Sequence, residues 1–235
     1  MPTYKDVAYT LVRSHRRKTA SIYVERDGSV TVRVPDNLAD TEIEALLEGK
    51  RYWIHKHLTE WRELNAAQVV REYVNGEGFL YLGRSYLLQW VDDQTVPLLL
   101  KGGYFLLRRD PKTQADPAQA FKAFYQEQAR AKVPERVARF APAFGVELPE
   151  VHIMDLGYRW ASASAVAPEG KGRLNFHWRC MMAPLTVLEY IVAHELAHLV
   201  VSDHSPAFWS ELDKVLPDYR ERQRWLREHG AGMDL

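Results

Sequence analysis

His194-Glu195-Leu196-Ala197-His198, followed six residues later by His204, constrains this chain more than any other feature. On an α-helix, positions i and i+4 lie one turn apart on the same face. If the segment is helical, His194 and His198 offer two imidazole nitrogens to a single ion. Glu195 is turned by about 100° from His194. That puts its carboxylate beside the ion rather than on it, where it can take a proton from metal-bound water. A helix is what the surrounding residues predict. Leu185, Leu188, Val192, Leu196 and Leu199 recur at helical spacing, and Pro184 suits a first turn. On so apolar a helix, two histidines and a glutamate would be costly to bury without partners.

His204 lies beyond that helix and can return as a third ligand. Three protein nitrogens leave the fourth position of a tetrahedral zinc open, which is the catalytic pattern rather than the closed structural one. The spacing of His204 also occurs in metzincins, but Val201 stands where that pattern requires Gly, so a metzincin is not expected. The other option for a third ligand is Glu211. It lies on a following helix signalled by Ser205 as N-cap, Pro206 at the first helical position, and an apolar stripe of Phe208, Leu212 and Val215. The preference of zinc for nitrogen ligands at short spacing favours His204. One zinc per chain is expected.

The catalytic run, continued by Asp203-His204-Ser205-Pro206 and Phe208-Trp209, resembles the YgjP-like zinc metallopeptidases, relatives of the SprT-like and WLM zinc proteases. Arg159-Trp160-Ala161-Ser162-Ala163-Ser164, Leu174-Asn175, Pro184, Pro217-Asp218-Tyr219 and Trp225-Leu226 extend the similarity. Toward the N-terminus it includes Arg13-Ser14, Arg16-Arg17-Lys18-Thr19, Trp53-Ile54 and Tyr81-Leu82-Gly83-Arg84. The resemblance implies a peptidase with the strand near Trp160 edging its cleft. One departure stands out: where the family has Trp-Gly-Ser-Cys-Ser, this chain has Ala161 and Ala163 in place of Gly and Cys.

Composition agrees with an ordinary globular protein. Of 235 residues, 46% are hydrophobic and 26% charged, and the formal net charge is zero. The whole-molecule field therefore gives no reason to expect nucleic acid or an anionic membrane as partner. A lone cysteine, Cys180, excludes an internal disulfide framework and fits a reducing compartment. The start lacks the apolar core of a signal peptide, and no stretch approaches the roughly 18 apolar residues of a membrane span. A cytoplasmic location is expected.

Pattern along the chain predicts an α+β protein in two parts. Residues 1–112 read as a β-rich region with a helix near 40–64. Ser21–Glu25 and Val30–Val34 alternate around Asp27-Gly28, a hairpin signal. Further strands are expected at Phe79–Leu82, Tyr86–Trp90, Leu98–Leu100 and, after Gly102-Gly103, Tyr104–Leu107. Asp110–Asp116 reads as a linker. Residues 113–235 read as a zincin-like metallopeptidase domain. It comprises a long amphipathic helix from Pro117 to Phe140, strands near 151–156, 160–166 and 173–178, the metal helix, and two C-terminal helices. No internal repeat is visible.

The expected chemistry is peptide hydrolysis, with Glu195 as base and Tyr219 or Arg179 assisting the oxyanion. Packing is an equal alternative for Tyr219. An edge strand from Trp160 to Val166 is expected to align an extended peptide, with Ser162 facing the cleft. Other candidates have plainer readings. Arg13, His15, Arg16, Arg17 and Lys18 form a basic cluster that acidic neighbours dilute. His55 and His57, two apart, cannot share a metal from one helix. His152 and His177 are expected on strand surfaces, and Trp160, Trp178 and Trp209 in the core. Two alternatives to a general peptidase remain: a protease acting on nucleic-acid-bound proteins, and a zinc-binding module without catalysis. Oligomeric state is open.

Overall fold

The structure is a computed structural model that describes residues 2–15, 17–25, 28–65, 70–157, 159–164 and 171–235. Contacts divide the chain into two units, Met1–Gln68 and Val69–Leu235. This differs from the expected parting at residue 112, and the reason is packing. The sheet that follows residue 69 buries Phe79, Leu88, Phe105 and Leu107 in the same core as Phe121 and Tyr125 of the long helix. Phe79 and Phe121 stack with centroids 4.2 Å apart.

In the first unit, a ribbon of β1 (Thr3–Tyr4) and β2 (Val7–Ala8) precedes β3 (Thr10–Ser14), β4 (Ser21–Val24) and β5 (Val30–Pro35). The predicted hairpin forms: β4 pairs antiparallel with β5, and Gly28 takes φ +83°. Asp27 and Arg16 lie outside the described residues. Val30, Val32 and Val34 alternate into a core with Ile43, Leu47 and Ile54 of α1 (Asp40–Asn65). Glu42 reaches back to accept from the Ala39 N–H at 3.1 Å, half of a capping box.

The second unit begins with β6 (Gly78–Tyr81), β7 (Arg84–Val91), β8 (Leu98–Lys101) and β9 (Tyr104–Arg108). The expected linker is instead a short helix, α2 (Pro111–Ala115). Asp110 caps it by accepting from Lys112 N and Thr113 N, and Asp116 caps the next helix through Gln119 N. Two aspartates each followed by proline are paired helix starts, which reading them as loop residues missed. Then follow α3 (Pro117–Phe140), β10 (Glu150–Met154), β11 (Ala161–Ser164), β12 (Arg173–His177), α4 (Leu185–Val200), α5 (Pro206–Val215) and α6 (Tyr219–His229). Residues 165 and 166 of the expected edge strand are outside the described residues. Among the described residues no helix is long and apolar enough to cross a membrane.

One plan recurs in three sheets, with orders β3-β5-β4, β7-β9-β8 (β6 added beside β7) and β10-β12-β11. In each, the first strand runs parallel to the third and the second antiparallel to it. A helix follows. The sequence shows no matching repeat, because strand order is carried by pairing between distant segments.

The helix α4 is buried nearly all round, with Leu188, Val192, Ala193, Leu196 and Ala197 fully enclosed. Its one buried carboxylate outside the motif, Glu189, pairs with Arg139 of α3 at 3.0 Å and Arg222 of α6 at 3.5 Å. Its start is held by the β6–β7 turn. There Leu82 and Gly83 take φ 48° and 78°, a two-residue turn of type I′ geometry. Their N–H groups donate to Met181 O and Met182 O at 2.8 and 3.1 Å. A Cβ on Gly83 would meet the Pro184 Cα at 2.8 Å. Gly83→Ala is therefore expected to cost about 2 to 4 kcal/mol, combining left-handed strain with a backbone clash. Chemical denaturation checks this. A loss below about 0.5 kcal/mol, the range of neutral surface changes, would mean the turn does not seat the helix.

Candidate metal centre

The helix ends at Val201, whose N–H still donates to Ala197 O at 2.8 Å while its own backbone is extended at φ −131°. No left-handed residue is needed there, so a β-branched valine fits where metzincins need glycine. The chain bends through Ser202 and Asp203. The Asp203 carboxylate accepts from Ser205 N at 3.1 Å, and α5 begins at Pro206. That path returns His204 to the helix.

The three Nε2 atoms converge. They are separated by 3.2 Å (His194–His198), 3.2 Å (His198–His204) and 3.1 Å (His194–His204). A tetrahedral zinc with Zn–N of 2.0–2.1 Å requires about 3.3–3.4 Å between nitrogens. Burial pushes His194 down to about 3, with His198 and His204 adding to it, and burial likewise lowers His198 and His204. All three are thus held neutral, as metal ligands must be. The His198 Nδ1 faces Val201 O at 3.3 Å, which sets the tautomer with its Nε2 lone pair inward. One cation at the centre would satisfy all three Nε2 atoms at once, so the donor set fits zinc.

Phe208 forms the floor of this cluster. It is fully buried, with its ring 4.9, 4.5 and 4.8 Å from His194, His198 and His204. Trp209 donates its Nε1 proton to His204 O at 3.1 Å. The sequence marks these two residues as part of the family run, as an apolar stripe and as a core tryptophan, and does not place them against the histidines.

Glu195 is 7% exposed, and burial pushes it up to about 8 against the opposing pull of Arg159 and the Ala163 N–H. Neither neighbour was singled out by sequence for this role. Ala163 lies on β11, which is the edge strand, as expected. Its orientation corrects the expectation for Ser162. The bond from His177 N to Trp160 O, with Ser162 opposite Asn175, fixes the antiparallel alternation. By that alternation Ser162 bonds inward to β12, and the N–H and C=O of Ala161 and Ala163 face the open edge. The side chains of Ala161 and Ala163 pack against the core beside α4, while Ser162 accepts from Asn175 Nδ2 on the other face at 3.1 Å.

The remaining candidates fall outside the cluster. Glu211 pairs with Lys214 at 2.5 Å. Arg179 is paired with Asp234 at 2.6 Å. Tyr219 is buried and stacked on Trp209 at 5.4 Å, which favours its packing alternative. His177 is buried rather than on a strand surface. Its Nδ1 caps the following 3₁₀ turn through Arg179 N, and burial pushes it down to about 4. Trp178 is in the core, as expected, whereas Trp160 and Trp209 are half-buried. His152, His55 and His57 face Glu150, Asp6 and Glu60. Arg13 is spent on Asp36 O, Leu38 O and Asp40, and Arg17 on Thr19 O and Ser21. Cys180 is a buried free thiol that burial pushes up to about 12.

A family model described as YgjP-like, metallopeptidase domain, matches residues 18–229. The chain belongs to the YgjP-like metallopeptidase family. The crystal structure of the metallopeptidase zymogen of Pyrococcus abyssi abylysin is 26% identical to this YgjP-like chain. It covers 43% of this chain and 98% of its own, with a TM-score of 0.35. No curated protein matches. Membership supports peptidase activity with a metal ion, and His194, His198 and His204 form a group able to hold one.

Proposed function

We propose that this protein is a zinc-dependent peptidase in which His194, His198 and His204 hold the ion and Glu195 is the general base. The observation that carries this reading is the convergence of three Nε2 atoms within 3.1–3.2 Å beside a buried carboxylate. The ligands and base all lie within residues 113–235, a zincin-like arrangement of α3, the sheet β10–β12, α4 and the two final helices.

When bound, zinc supplies a Lewis acid for the scissile carbonyl and acidifies water to a pKa near about 7. Glu195 takes the water proton on its carboxylate and returns it to the leaving amine. The Ala163 N–H holds its carboxylate against β11. The open edge of β11 aligns an extended peptide through the N–H and C=O of Ala161 and the C=O of Ala163, the Ala163 N–H being taken by Glu195. Arg13 and Arg17 of the N-terminal basic cluster are occupied by their own neighbours, and no observation favours a nucleic-acid partner.

The test is incubation of zinc-loaded protein with a mixed peptide library, read by mass spectrometry. Cleavage that disappears with a chelator is expected, and its absence would sink the peptidase reading. The edge-strand part has a separate test. Ala161→Pro removes an outward donor and is expected to lower cleavage about tenfold, the worth of one net hydrogen bond, with zinc retained. Ser162→Pro removes an inward one and is expected to lower the melting temperature instead. Full activity in a folded Ala161→Pro would place the peptide elsewhere.

A further inference from the structure

We infer that Trp209 and Tyr219 form a positioning clamp for His204, the one proposed ligand that the metal helix does not hold. The inference rests on the zinc reading above. His194 and His198 sit half-buried on α4, where the helix backbone fixes both. His204 follows two exposed residues on a turn and is itself exposed, so nothing in its own segment immobilises the imidazole. Phe208 touches all three rings and does not single out His204.

Trp209 holds it through two groups, although its ring also lies 6.1 Å from that of His194. Its Nε1 donates to the His204 carbonyl at 3.1 Å, and its ring lies against the His204 imidazole at 5.6 Å and 32°. Backbone and ring of one residue are thereby held by one side chain. Trp209 is held in turn: the Tyr219 ring stacks on it nearly parallel, at 5.4 Å and 15°. Tyr219 is 4% exposed, starts α6, and has the Arg220 guanidinium over its ring at 4.8 Å. Its N–H donates to Leu216 O at 3.0 Å across the turn between the last two helices. The stack Arg220–Tyr219–Trp209–His204 thus runs from α6 through α5 to the ligand loop. Preorganising a mobile ligand in this way raises metal affinity without touching the metal. It gives Tyr219 a role through its ring, with no part for its hydroxyl.

Zinc affinity of the full chain, measured by competition with a chromophoric chelator, tests the clamp. Trp209→Ala is expected to weaken zinc about 10- to 100-fold, the usual cost of losing a partner that orients a ligand. Trp209→Phe keeps a ring and loses the N–H, and should fall between. Tyr219→Phe keeps the stack and should stay within about twofold of wild type. A double-mutant cycle separates positioning from general loss of fold. In a His204→Ala background, Trp209→Ala should weaken zinc no further. Equal weakening in both backgrounds, or unchanged affinity in Trp209→Ala, overturns the clamp. So does a loss beyond tenfold in Tyr219→Phe, which would assign the work to the hydroxyl. Wild-type protein that binds no zinc overturns clamp and metal site together. Zinc that His198→Ala abolishes but Trp209→Ala leaves intact overturns the clamp alone.

Discussion

Glu195→Gln is expected to keep zinc and the fold while losing peptide cleavage by about 10² to 10⁴, the range for a general base. The amide matches the carboxylate in size and still accepts from the Ala163 N–H, so the geometry at β11 survives. What it lacks is a site for the water proton. Folding should not suffer. Burial disfavours the charged form of Glu195, so a neutral amide of the same size removes no stabilising charge from the folded protein. The measurement is kcat/KM on a peptide from the library, beside zinc content and a thermal melt. Wild-type rates in a zinc-loaded Glu195→Gln would require another base and end the proposed mechanism, while leaving the metal site standing.

Removing a helix ligand should abolish activity altogether. Purified wild-type protein is expected to carry about one zinc per chain, and His194→Ala or His198→Ala to carry almost none, since two ligands seldom retain zinc. His204→Ala should weaken binding, and Glu211→Ala should leave it unchanged, because Glu211 is engaged with Lys214. Elemental analysis after dialysis reads all four. Full zinc in His204→Ala together with loss in Glu211→Ala would reverse the choice of third ligand. Stripping the metal has a thermal signature as well. A ligand at a hundred times its Kd stabilises by about 2.7 kcal/mol, so the unloaded protein should melt some 5 to 10 °C lower and recover on adding zinc.

The parts of this protein that its sequence determined are those set by local pitch and local turn chemistry. His194 and His198 share a face because one helical turn separates them, whatever else the chain does. The long helix from Pro117 to Phe140 was legible end to end from its apolar stripe. The β4–β5 hairpin was legible from alternation flanking a glycine. Family membership was legible too, because the residues from His194 to Trp209 are contiguous.

Tertiary structure decided whatever depended on the partner of a segment. Strand pairing set the phase of β11: with Ser162 opposite Asn175, the open edge belongs to Ala161 and Ala163, and a shift of one residue would have exchanged them. Arg179 was paired with Asp234, 55 residues along the chain from it, a distance no local pattern reports. The unit boundary fell after Gln68 because the β6–β9 sheet needed α3 to cover its apolar face. The return of His204, rather than Glu211, to the helix was decided by an extended Val201 and a capped turn. Periodicity describes how one element repeats. Which elements meet, and so which side chains converge on one point, depends on burial shared between segments far apart in the chain.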